Sequence, residues 1–124
     1  MEVKYFMIVG TGIDIIEISR IENAINKRRF FKNRVFTIAE QRYCSAISHS
    51  CERFAGRFAA KEAVGKALGS SLSWLDVEIL PAESGKPEVI LHNSAADLAI
   101  GKRVHVSISH CREYAVASAI VEAI

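Results

Sequence analysis

Near residue 70 the periodicity of the apolar residues changes, and that change constrains the fold more than any other feature of the sequence. Before it, apolar residues recur at helical spacing. The longest helical run covers residues 51–68 and is closed by Gly69. After it, residues 75–80, 88–91, 104–109 and 114–121 read as strands, with a short helix over 93–100 between them. The Gly85-Lys86-Pro87 turn joins the first two strands into a hairpin. In the third strand Val104, Val106 and Ile108 share one face and His105, Ser107 and Ser109 the other, which is the alternation of a half-buried strand, and His110 falls at its end. The last strand is small and apolar on both faces (Ala115, Ala117 and Ala119 against Val116 and Ile120), which suits a central place in a sheet or a subunit contact.

The first half opens with a short apolar strand over residues 8–15. Ile18, Ile21, Ala24 and Ile25 then mark a helix, with Ser19 as a weak cap and Arg20 exposed. Thr37 followed by Glu40 is a capping box that opens a helix running to about residue 48. Gly56 and Gly65 lie inside the long helix, each costing about 1 kcal/mol relative to alanine, so close packing or ligand approach is expected there. The pattern predicts an α+β fold, with a helical first half containing one long helix and an antiparallel sheet from the second half.

At 124 residues and 13.7 kDa the chain fits a single domain over residues 1–124. A domain of this size buries roughly two thirds of its unfolded surface, so a deep ligand cleft would consume much of the core. Sites shared between subunits ease that difficulty. No apolar stretch approaches the roughly 20 residues that cross a bilayer, and the first residues carry Glu2 and no small-residue cleavage site, so neither export nor membrane insertion is expected. Cys44, Cys51 and Cys111 are odd in number and lack CxxC spacing, which argues for reduced thiols in a cytoplasmic protein rather than a disulfide framework or a zinc knuckle.

The net charge of +2 is unevenly distributed. Residues 20–42 hold seven basic side chains (Arg20, Lys27, Arg28, Arg29, Lys32, Arg34, Arg42) against Glu22 and Glu40, whereas residues 71–100 hold five acidic ones against Lys86. The asymmetry points to an acidic partner at the N-terminal third, although a solvated helix face with no partner has the same charge pattern.

Two acidic positions carry the candidate chemistry. Glu62 and Lys66 lie four residues apart and share one helix face. Taken alone, that spacing is equally that of a surface ion pair worth about 0.3–0.5 kcal/mol. Asp14, in Gly12-Ile13-Asp14-Ile15, puts a second carboxylate in an apolar strand, where an ionised group needs exposure, a partner or a metal. Two carboxylates without a His/Cys cluster suit a hard cation such as Mg²⁺, which takes one or two carboxylates plus phosphates and waters. A capping role for Asp14 is the plainer alternative.

The segments GIDIIEISRI, FAGRFAAKEAVGKALG, GKP and VHVSISH, in this order and spanning nearly the whole chain, resemble the holo-acyl-carrier-protein synthases of the phosphopantetheinyl transferase family. The resemblance implies transfer of 4'-phosphopantetheine from coenzyme A to a serine of apo acyl carrier protein, with Mg²⁺ as cofactor, adenosine 3',5'-bisphosphate as the leaving product and a role in fatty acid biosynthesis. It assigns Asp14 and Glu62 as metal ligands and places Lys66 beside the coenzyme A diphosphate. Arg57, Gly85, Lys86, Pro87, Ser109 and His110 are implied coenzyme A contacts, and Arg20, Lys27, Arg28 and Arg29 the basic surface that seats the acidic carrier protein. It also implies a homotrimer with active sites between protomers. His110 and Lys86 would then face Asp14, Glu62 and Lys66 of a neighbour.

Two rivals stand beside this reading. Phe30, Phe31 and Phe36 interleave with the basic segment 20–42, which permits a nucleic-acid-binding module. That reading leaves Asp14, Glu62 and the Gly85-Lys86-Pro87 turn unexplained. The other rival is a different Mg²⁺-dependent phosphate-ester enzyme.

Overall fold

The computed structural model describes residues 7–124, so Glu2 lies outside the described residues. In chain order it comprises β1 (Met7–Glu17), α1 (Ile18–Lys27), α2 (Phe31–Val35), α3 (Ile38–Ser45), α4 (Ser50–Leu68), β2 (Val77–Pro81), β3 (Pro87–Leu91), α5 (Asn93–Leu98), β4 (Lys102–His110) and β5 (Tyr114–Ala123), with a 3₁₀ turn over Trp74–Asp76 before β2. The α+β class holds. One sheet has the order β1-β5-β4, all antiparallel, and β2 and β3 form a separate hairpin.

Several details differ from the sequence reading, among them the helix opened by the capping box, which stops at Ser45 rather than near residue 48. The main sheet draws one strand from the first half: β1 runs antiparallel to β5 from Met7 opposite Ala123 to Glu17 opposite Tyr114. A partner about 100 residues away leaves no local trace in sequence. Leu75 belongs to the 3₁₀ turn rather than to β2. Ser19 is not a cap, because α1 starts at Ile18 and its preceding residue is Glu17.

Small residues set the spacing between the layers. Ala55, Ala59, Ala60 and Ala63 on α4 are fully buried, as are Ala115, Ala117 and Ala119 on the central strand β5. Helix and sheet therefore approach closely, with little side-chain volume between them. Contact is closest at β1, where a Cβ on Gly10 would lie 1.9 Å from the Ala67 carbonyl oxygen and one on Gly12 would lie 2.0 Å from that of Ala63. Within α4, a Cβ on Gly56 would meet Ile108 at 2.9 Å, which explains that glycine as close packing.

The capping box is present: the Glu40 amide donates to Thr37 Oγ1 at 3.1 Å and the Thr37 amide to Glu40 Oε1 at 2.8 Å. Gly69 ends α4 with φ 72°, in the left-handed region that glycine enters without strain. Gly85 does the same at the hairpin turn with φ 88°. Among the described residues no helix is long and apolar enough to cross a membrane.

Candidate functional site

The tight contact of β1 with α4 decides what becomes of Asp14. On a strand, residues two apart share a face, so Asp14 follows Gly10 and Gly12 on the side turned toward the helix. Ile13 and Ile15 point the other way and are 65% and 62% exposed. Asp14 thus arrives beside Glu62 and Lys66, about two turns and one turn before Gly69 respectively. Lys66 Nζ donates to the Ile13 carbonyl at 2.9 Å and lies 3.5 Å from Asp14 Oδ1.

Glu62 is held above the ordinary carboxylate range, first by burial and then by the charge of Asp14, with Lys66 pulling the other way. Two carboxylates close enough to oppose each other's ionisation are what a divalent cation relieves. Among the described residues no group of three or more His, Cys, Asp or Glu side chains gathers. The donor set is therefore two hard oxygen groups, which fits a cation that draws its remaining ligands from phosphate and water.

Beside these groups opens a cavity of about 460 Å³. One wall is Glu62, Gly65 and Lys66 of α4, and the other is the segment from Ser70 to Trp74. Gly65 keeps that wall open, since a Cβ there would sit 3.2 Å from the Ser70 carbonyl oxygen. An exposed ammonium, three serines and a glycine-lined helix end form a surface on which phosphate oxygens find donors.

The other residues singled out in the sequence lie elsewhere in the chain. His110 is at the end of β4, with Nδ1 3.6 Å from Glu52 Oε2 in the first turn of α4. Along a helix rising 1.5 Å per residue, Glu52 and Lys66 stand about 21 Å apart. Ser109 is exposed on the outer face of β4 beside it. Arg57 is 7% exposed and turned toward α3, its guanidinium carbon 4.4 Å above the Tyr43 ring, while Arg53 lies 4.1 Å over the same ring. Arg57 Nε is buried without a partner. Gly85 and Lys86 are exposed at the β2–β3 turn and Pro87 begins β3. A single chain thus brings Asp14, Glu62 and Lys66 together, leaves Ser109 and His110 by the start of α4, and turns Arg57, in the middle of that helix, toward α3. Arg20, Lys27, Arg28 and Arg29 are all exposed on α1 and the turn after it. Arg20, Lys27 and Arg28 border a groove of about 330 Å³ floored by Ile16, Ile21 and Phe58.

Sequence reasoning passed over Glu52, Tyr43 and Arg53, which have no distinguishing spacing of their own. It also read Glu40 only as a capping residue. Burial pushes the Cys44 thiol up to about 12, so it does not resemble an activated nucleophile.

Comparison with known proteins places this arrangement. The profile of the 4'-phosphopantetheinyl transferase superfamily matches residues 10–119. A holo-[acyl-carrier-protein] synthase of Moorella thermoacetica is 52% identical, covering 90% of this chain and 91% of that one. Its counterpart in Koribacter versatilis is 46% identical over 94% and 99%. Among solved structures, the holo-(acyl-carrier-protein) synthase of Bacillus anthracis in complex with CoA (3',5'-ADP) superposes with a TM-score of 0.81 at 41% identity, covering 95% of this chain and 99% of that one.

Proposed function

The chain belongs to the 4'-phosphopantetheinyl transferase superfamily and is an enzyme of the holo-[acyl-carrier-protein] synthase kind, and from that premise we propose that Asp14 and Glu62 hold Mg²⁺ at the diphosphate of coenzyme A. The observation that carries this is the meeting of Asp14, Glu62 and Lys66 at the mouth of a serine-lined cavity. The enzyme moves phosphopantetheine from coenzyme A to acyl carrier protein. In the proposed chemistry the carrier's serine oxygen forms a bond to the phosphorus that bears pantetheine. The bond from that phosphorus to the oxygen of the second phosphate breaks, and adenosine 3',5'-bisphosphate leaves with the bonding pair. We assign the product pathway to fatty acid biosynthesis.

Phosphoryl transfer demands positioning and charge neutralisation above all. When bound, Mg²⁺ supplies Lewis-acid neutralisation of the phosphate oxygens. The residues of the chain do the rest. Lys66, anchored by the Ile13 carbonyl yet more than half exposed, swings toward the leaving phosphate and stabilises its developing charge. Glu62, at the edge of the cavity beside Lys66, is the protein group available to accept the serine proton, directly or through a water. The serines of the opposite wall orient the diphosphate.

We also propose a homotrimer in which His110 and Lys86 of one protomer face the Asp14–Glu62–Lys66 cluster of the next. Support comes from the place of His110 by Glu52 at the start of α4, far along the helix from Lys66, and from the outer face of the sheet, where Ile13, Ile15 and Ile120 stand 65%, 62% and 41% exposed. A contiguous apolar patch of that kind marks an association surface. The exposed Arg20, Lys27, Arg28 and Arg29 would seat the acidic carrier. Mass spectrometry of apo carrier protein incubated with the enzyme, coenzyme A and Mg²⁺ tests the reading. A mass gain equal to phosphopantetheine, abolished by chelator, is expected; an unmodified carrier at high enzyme concentration refutes it.

A further inference from the structure

One residue before Glu62 stands a cation that this mechanism does not use. Lys61 is 3% exposed. Its Nζ donates to Glu40 Oε1 at 2.8 Å, to the Trp74 carbonyl at 2.9 Å and to the Val77 carbonyl at 2.6 Å, which employs all three ammonium hydrogens. Glu40 is fully buried and equally well satisfied. Its Oε1 also accepts from the Thr37 amide at 2.8 Å, and its Oε2 accepts from the Ile79 amide at 2.9 Å. The pair therefore ties together α4 beside Glu62, the start of α3, and the segment from Trp74 to Ile79.

That segment, with the serines before it, is the wall of the 460 Å³ cavity facing Glu62, Gly65 and Lys66. Residues 71–73 have no regular secondary structure. Backbone bonds at their margins run from the Ser70 amide to the Gly65 carbonyl at 3.1 Å and from the Asp76 amide to the Ser73 carbonyl at 3.1 Å. Stacking of Trp74 on Phe58, with ring centroids 4.8 Å apart, fixes its apolar side. The polar side is fixed by Lys61. Stability alone does not call for an ion pair here, because replacing a buried pair with apolar groups of similar volume is often neutral or favourable. Such groups would fill the space but would not grip two carbonyls of a loop.

Building on the functional reading above, we propose that the Lys61–Glu40 pair is a latch that holds the Ser70–Val77 wall at a set distance from α4, so that the coenzyme A cavity is formed before the ligand arrives. Lys61 and Glu40 are thus positioning residues for coenzyme A: Lys61 borders the cavity, but all three of its ammonium hydrogens are committed within the protein. Preorganisation of this kind raises affinity by removing the ordering cost of the loop at the moment of binding.

The double variant Glu40→Leu/Lys61→Met deletes both charges and conserves volume. Circular dichroism should find it folded. Calorimetric titration with coenzyme A in Mg²⁺ should find affinity lowered about tenfold, with KM for coenzyme A raised to match while kcat at saturation and KM for the carrier stay within about twofold. A folded double variant with the parent's affinity and KM for coenzyme A overturns the proposal. If the double variant does not fold, Glu40→Gln takes its place: it keeps the shape but turns an amide donor toward Lys61 or the Ile79 amide. An unchanged coenzyme A affinity there overturns the proposal equally. A parent enzyme that leaves apo carrier unmodified would instead count against the functional reading, and the calorimetric comparison would still judge the latch.

Discussion

Replacing Gly12 with alanine tests the claim that backbone proximity builds the site. The new Cβ would stand 2.0 Å from the Ala63 carbonyl oxygen, 2.9 Å from the Ala67 nitrogen and 3.0 Å from the Ala63 carbonyl carbon. All three are helix backbone, which has no rotamer through which to yield. To restore an ordinary contact of about 3.4 Å, β1 and α4 must part by roughly 1.4 Å at this point. Overpacking typically costs 1–3 kcal/mol, and a clash between two backbones belongs at the upper end, about 3 kcal/mol. For a domain of this length that lowers the melting temperature by about 12 °C. The same parting carries Asp14, two residues on, away from Glu62. A cation that demands oxygen ligands at about 2.0–2.1 Å does not tolerate a gap of that size, so transfer activity should fall by more than about a hundredfold even where the variant is folded. Thermal unfolding by circular dichroism and carrier modification by mass spectrometry read the two effects separately. Glu88→Ala, exposed on β3 and outside both the site and the apolar sheet face, is the control and should change stability by no more than about 0.5 kcal/mol. A Gly12→Ala enzyme that melts with the parent and transfers at the parental rate would refute the reasoning.

Asp14→Ala and Glu62→Ala should each abolish Mg²⁺-dependent transfer with the fold intact by circular dichroism; near-normal activity in either would remove the metal assignment. Because the folded state holds the Glu62 proton more tightly than the unfolded chain does, the stability contributed by this group is present at acid pH and is lost as pH rises from the ordinary carboxylate value through the raised one. Glu62→Gln should therefore melt higher than the parent at pH 8 in EDTA, with the gain vanishing below the ordinary glutamate range near pH 4; a variant that melts lower at pH 8 contradicts the assigned environment. Charge reversal at Arg20 and Arg28 should raise KM for the carrier about tenfold in low salt, with the deficit shrinking as ionic strength rises and coenzyme A binding untouched; equal loss of both would mean the basic face is not a separate docking surface. Ile13→Asp/Ile15→Asp should convert the assembly to monomer in sedimentation and remove activity, whereas a fully active monomer, parental or variant, would exclude a site shared between protomers.

Local pattern in the sequence was enough to place the long helix and its Gly69 stop, the Thr37–Glu40 capping box, the Gly85-Lys86-Pro87 turn and the alternation along β4, because each depends on residues within a few positions of one another. It also singled out Asp14, Glu62 and Lys66 by residue type and by resemblance. What the sequence could not contain was their meeting. That depends on β1 pairing with a strand at the far end of the chain and on two glycines letting its backbone settle against α4. Tertiary packing likewise made the capping Glu40 the buried partner of Lys61 as well, and set Arg57 against Tyr43. Spacing along a helix says which side chains share a face, whereas the desolvation and distance that give those side chains their chemistry arise only when another element covers that face.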